Sequence, residues 1–124
     1  MVHLVVAIVL ALWLALPAPA ALGVPWRPVY IHLLVLGWAT QMIFGVSWWM
    51  FPRKQPLDLT AVPWLGWVCF GALNLGLVVR AAAEPVLAVR VSALASAGAV
   101  LAALLQLVAV ASYVWLVWPR VMRR

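Results

Sequence analysis

The chain has 124 residues, 69% of them hydrophobic and only 8% charged. A water-soluble domain of this size could not carry that balance without aggregating, so an ordinary soluble globular fold is excluded. The formal net charge of +6 does not describe a nucleic-acid surface either, because the basic residues are scattered at the ends of apolar runs, where they serve as headgroup anchors and orientation signals.

The ten charged residues are Arg27, Arg53, Lys54, Asp58, Arg80, Glu84, Arg90, Arg120, Arg123 and Arg124. Between them lie charge-free runs at 1–26, 28–52, 59–79 and 91–119, each long enough to cross a hydrocarbon core that needs about 20 helical residues. Lipid offers no partners to backbone amides, so a spanning segment must be a helix or part of a closed barrel. The runs lack the alternation of barrel strands. The expected fold is therefore all-α, an integral membrane bundle of four helices at about 3–22, 29–51, 62–80 and 89–118, forming one domain over 1–124.

The first run ends in Pro17-Ala18-Pro19-Ala20-Ala21, which resembles the small-residue cleavage site of a signal peptide. It begins Met1-Val2-His3-Leu4 without the Lys or Arg of a signal, and is read as a retained helix. Pro25 and Pro28 precede the second helix and Pro52 and Pro56 follow it; Pro63 opens the third, Pro85 precedes the fourth and Pro119 follows it. Proline is tolerated in a first turn and breaks an interior, so this punctuation agrees with the hydropathy. The lone cysteine, Cys69, lies inside the third run and reads as a small buried apolar side chain.

Short connections favour antiparallel neighbours in an up-down-up-down bundle. One side then holds Arg53, Lys54, Arg120, Arg123 and Arg124, and the other Arg27, Arg80 and Arg90. The positive-inside rule favours both termini in the cytoplasm. Trp48, Trp49, Trp64, Trp67, Trp115 and Trp118 fall near the cytoplasmic interface and Trp26 near the outer one, as interfacial belts. His32 then lies about one turn inside the outer interface and His3 at the cytoplasmic side. Two histidines so far apart cannot share one metal ion.

An ionisable side chain within a membrane helix is costly and is a functional candidate by default, and imidazole is the commonest protein ligand to haem iron. The alternative for His32 is a hydrogen bond to water or a headgroup. Gly37 and Gly45 allow close approach of either a neighbouring helix or a flat macrocycle.

The stretch His32-Leu33-Leu34-Val35-Leu36-Gly37-Trp38, followed by a charge-free helix ending in Met50-Phe51-Pro52-Arg53, resembles the second helix of subunit I in haem-copper oxidases and nitric oxide reductases. It is still more similar to short four-helix bacterial proteins related to that subunit. The resemblance covers about a fifth of the chain. It implies that His32 ligates a low-spin haem b near the outer face. The binuclear centre of the large enzymes needs further histidines, and this chain has only His3 and His32, so the resemblance does not extend to oxygen or nitric oxide reduction by this chain alone.

A low-spin haem takes two axial ligands. A homodimer with its two-fold axis along the membrane normal would supply His32 from each chain at one level, with propionates turned toward Arg27, Arg80 or Arg90. Met42 and Met50 lie about 15 Å or more down the same helix, too far to ligate that iron.

Within the spans, Gln41, Asn74 and Gln106 are amides that require interhelical partners; Thr40, Ser47, Ser92, Ser96, Ser112 and Tyr113 are less costly. No acidic residue is expected deep in a span, which disfavours a carboxylate-relay proton pump. The small residues Ala93, Ala95, Ser96, Ala97, Gly98, Ala99, Ala102 and Ala103 suit close packing. No nucleotide loop, paired carboxylates, nucleophile with a base, CxxC or HExxH pattern is present. The leading expectation is a membrane b-type cytochrome-like protein for electron transfer or sensing. The competing one is a non-catalytic accessory or assembly subunit of a respiratory complex, and a third is an oligomeric small-molecule channel.

Overall fold

A computed structural model of the chain describes residues 2–16, 26–50 and 62–121, apart from the side chains of Val62, Pro63, Pro119 and Arg120. The signal-like Pro17–Ala21 stretch, Pro25, the 52–61 loop with Arg53, Lys54 and Asp58, and the terminal Arg123 and Arg124 lie outside those residues. The described residues form helices and no strand: α1 (Val2–Leu14), α2 (Arg27–Met50), α3 (Val62–Val89) and α4 (Ala93–Val121). Three of the four, α2, α3 and α4, are long and apolar enough to cross a membrane.

Helix α1 is shorter than expected. Its 13 residues rise about 20 Å, against about 30 Å of hydrocarbon. Its end tightens as Ala15 N–H reaches both Ala11 and Leu12 carbonyls and Leu16 N–H reaches Trp13 O. Pro17 follows directly, and a residue before proline is pushed out of helical geometry.

Helix α3 runs on past the expected end at 80 to Val89, with Pro85 inside it rather than beyond it. The charges that seemed to close the span neutralise each other: Arg80 Nε donates to Glu84 Oε1 at 2.8 Å, one helical turn apart. Pro85 has no N–H for the Ala81 carbonyl, a single missing bond that the long helix tolerates. Helix α4 begins four residues later than expected because Ser92, read above as a polar residue within the span, caps it. Ser92 Oγ accepts from Ala95 N–H at 3.1 Å and its carbonyl accepts from Ser96 N–H at 2.9 Å.

Helices α3 and α4 pack most extensively. Ala95, Ala102 and Ala109 recur at seven-residue intervals, two helical turns, and all are buried. Against this seam lie Leu73 and Leu77, the largest fully buried side chains. Gly98 faces Ala83, and Gly76 sits so close to α4 that a Cβ there would meet the Ala102 carbonyl oxygen at 3.1 Å. Cys69, Leu73 and Ala109 form a core with Phe44 and Tyr113 against them; the buried place expected for Cys69 is where it lies.

Helix α2 contains a wide turn. Leu33–Ala39 is π-helical, closed where both the N–H and the Oγ1 of Thr40 donate to the Val35 carbonyl, five residues back. Val29, Leu33 and Gly37, spaced by four, are buried along it. Helix α1 covers this stripe: Ala7, Val29 and Leu33 form a second core with Leu10, Trp26, Tyr30, Leu34 and Ala81 packed on it, and the Trp13 and Trp26 rings meet edge to face at 6.1 Å.

Candidate functional site

His32 is the last residue before the wide turn of α2. Its side chain turns back toward the start of the helix, with Nδ1 2.8 Å from the Pro28 carbonyl oxygen. Pro28 stands in the first turn, where a missing N–H costs nothing. The same Nδ1 lies 3.2 Å from Glu84 Oε1 on α3. The Pro28 carbonyl is an acceptor only, so Nδ1 carries the proton and donates it there, while the Glu84 oxygen lies beside that bond at ion-pair distance.

Glu84 extends the site through α3 to α4. Its Oε1 also accepts from Arg80 Nε, and Arg80 Nη1 donates to Gln106 Oε1 at 3.3 Å. One polar chain, His32–Glu84–Arg80–Gln106, thus joins three helices. Glu84 Oε2 and Gln106 Nε2 are buried and hydrogen-bond to no described residue. The side chains of Glu84, Arg80 and His32 keep 15%, 25% and 27% of their exposure, so the chain lies at the edge of the bundle interior rather than outside it. Electrostatically it is one anion between a cation and an imidazole, in a setting with little water to screen it.

Two further polar contacts continue along the same helices. Gln41 Nε2 donates to Asn74 Oδ1 at 3.2 Å, and Asn74 Nδ2 donates to the Phe70 carbonyl at 2.7 Å. Ser47 Oγ and the Tyr113 hydroxyl are 2.6 Å apart, with the Phe44 and Tyr113 rings stacked at 3.8 Å. These are interhelical partners for part-buried amides and hydroxyls.

Several expectations are corrected. The two histidines do not occupy opposite faces of the molecule: the His3 side chain packs on Gly37, only five residues beyond His32, about 7 Å along the axis. The cause is the short α1, which folds back along α2 from the Trp13–Trp26 contact. The two rings still serve different neighbours, His3 in the α1–α2 seam and His32 toward α3. Gly37 does permit a close approach, and the approaching group is α1. Glu84, expected beyond the third span, stands within the long apolar α3, five residues before its end at Val89. Arg27 is exposed at the head of α2, whereas Arg80 is committed to Glu84 and Gln106.

Sequence alone does not reveal Glu84, because Arg80 and Glu84 read singly mark the end of a span. Their four-residue spacing was the available signal, since it places opposite charges together on one helix. Among the described residues no group of three or more His, Cys, Asp or Glu is gathered as a metal site. No family model, curated protein or solved structure was found that matches the chain.

Proposed function

We propose that the chain is an integral membrane protein of the bacterial inner membrane, with an up-down-up-down course, both termini cytoplasmic, and a haem b held through His32 for electron transfer or sensing. The apolar exterior supports the lipid setting: Trp49, Leu94 and Trp115 are more than three-quarters exposed, on helices that are apolar along their length.

The single observation that carries the haem reading is the state of the His32 ring. A histidine that ligates iron presents one ring nitrogen bare and gives the other N–H to a carbonyl or carboxylate. His32 is arranged this way before any ligand is considered: Nδ1–H is engaged by the Pro28 carbonyl beside Glu84, which leaves Nε2 as the bare nitrogen of the neutral ring. The residues fit one axial position of a haem. With one such histidine per chain, a two-fold partner would supply the second from its own copy. The group would contribute one-electron redox chemistry, and Arg27, exposed at the head of the same helix, is placed for a propionate.

Reduced-minus-oxidised absorption of the purified protein tests this. The expected result is a b-type spectrum at one haem per two chains, abolished by His32→Ala and retained in His3→Ala. No Soret band after expression with ample haem refutes the haem reading. One haem per chain, or a bis-histidine spectrum surviving His32→Ala, refutes the shared-ligand arrangement.

A second reading, an accessory subunit of a respiratory complex, is favoured by the partners already present: each of the four residues of the polar chain has a hydrogen bond within the protein.

A further inference from the structure

Glu84 reaches His32 from another helix. We propose that Glu84, held by Arg80, is the positioning residue of the site: it fixes His32 as the Nδ1–H tautomer and makes Nε2 a stronger electron donor. The redox consequence rests on the haem reading; the tautomer itself does not.

Two observations carry this. Oε1 of Glu84 lies 3.2 Å from Nδ1, and the same oxygen receives Arg80 Nε at 2.8 Å, so the acceptor is pinned from its own helix. Arg80 is in turn anchored on α4 through Gln106, which leaves the carboxylate little freedom to swing away. The Pro28 carbonyl orients the ring from within α2, but it is neutral. Among the described residues only Glu84 places negative charge beside the Nδ1–H group, and a nearby carboxylate stabilises a proton held there. Pulling that proton toward a carboxylate raises the electron density on Nε2. An iron bound there would be stabilised in its oxidised state, and its potential lowered.

The experiment uses the full chain in lipid nanodiscs with 15N-labelled histidine. In haem-free protein, wild type is expected to show His32 with Nδ1 protonated and Nε2 bare. In Glu84→Gln the Nδ1–H bond should weaken visibly, with the Nε2–H tautomer appearing. Arg80→Lys, which keeps a cation beside Glu84 while loosening its hold, should move the spectrum in the same direction by less. An Nε2–H tautomer in wild type overturns the proposal, as does a His32 spectrum unchanged in Glu84→Gln. In haem-loaded protein, Glu84→Gln should raise the midpoint potential at unchanged haem content; an unaltered potential also overturns it. Wild type that binds no haem sinks the haem reading alone, because the haem-free spectra still decide the role of Glu84.

Discussion

Replacing Gly37 by alanine tests the placement of α1. A Cβ at Gly37 would lie 2.8 Å from His3 Cβ, 2.9 Å from Cγ and 3.1 Å from Cδ2. Carbon atoms pack best at about 3.5–4.0 Å, so α1 must move by about 1 Å. The atoms met first are at the root of the His3 side chain, which a change of rotamer cannot withdraw. Overpacking of this kind costs about 1–3 kcal/mol. His3→Gly removes all three atoms, so in that background Gly37→Ala should cost nothing and gain up to about 1 kcal/mol of helix propensity. The expected coupling in the double-mutant cycle is thus about 1–3 kcal/mol, with the intrinsic cost of each substitution cancelling. Equilibrium unfolding in mixed micelles, followed by tryptophan fluorescence, measures it, since the Trp13–Trp26 pair reports whether α1 is docked. Gly45→Ala, with nothing within 4 Å of its Cβ, is the control. Additivity within about 0.5 kcal/mol would refute the contact and return His3 to the distant face that charge patterning alone assigns it.

Gly76→Ala brings a Cβ to 3.1 Å from the Ala102 carbonyl oxygen, a backbone atom that cannot step aside, and should destabilise the α3–α4 pair by about 1–3 kcal/mol in the same assay. Tyr113→Phe keeps the stack on Phe44 but strips Ser47 of its 2.6 Å partner, and should cost about 1 kcal/mol. Gln41→Leu and Asn74→Leu should each destabilise alone, with a positive coupling of about 0.6 kcal/mol between them; zero coupling would mean that the amides do not meet in lipid.

The parts of the fold legible in the sequence were those governed by hydropathy and by single strong residues. Charge-free runs located α2, α3 and α4, and the cost of amides in hydrocarbon anticipated that Gln41, Asn74 and Gln106 would each find a partner on another helix. What escaped depends on pairs. Arg80 and Glu84 end a span when read separately and continue it when read as an ion pair, and that one difference hid the acid beside His32. Ser92 looked like a polar residue inside a helix and is its cap, a distinction of a few residues in register. The position of His3 was lost because a charge-free run over 1–26 implies a full span, whereas α1 ends at Leu14, ahead of Pro17. At the site, His32 and Gly37 could be nominated by residue type, but which ring nitrogen is bare depends on where Glu84 reaches.

The wide turn at Leu33–Ala39 has a consequence for how this chain can vary. An α-helical stripe spaced by four drifts by about 40° at each step, and the wider turn over Leu33–Ala39, which rotates less per residue, offsets the drift of the α-helical step before it. Val29, Leu33 and Gly37 can therefore all face α1 while Gln41 and Phe44, further along, serve α3 and α4. Deleting any one residue between Leu33 and Ala39 would let an ordinary α-helix close. The hydropathy of the helix would scarcely change, and because the wide turn takes up one extra residue, the Arg27–His32 end would keep nearly its present facing relative to the rest, with His32 still toward Glu84. The segment can therefore lose one residue without the histidine losing its aim.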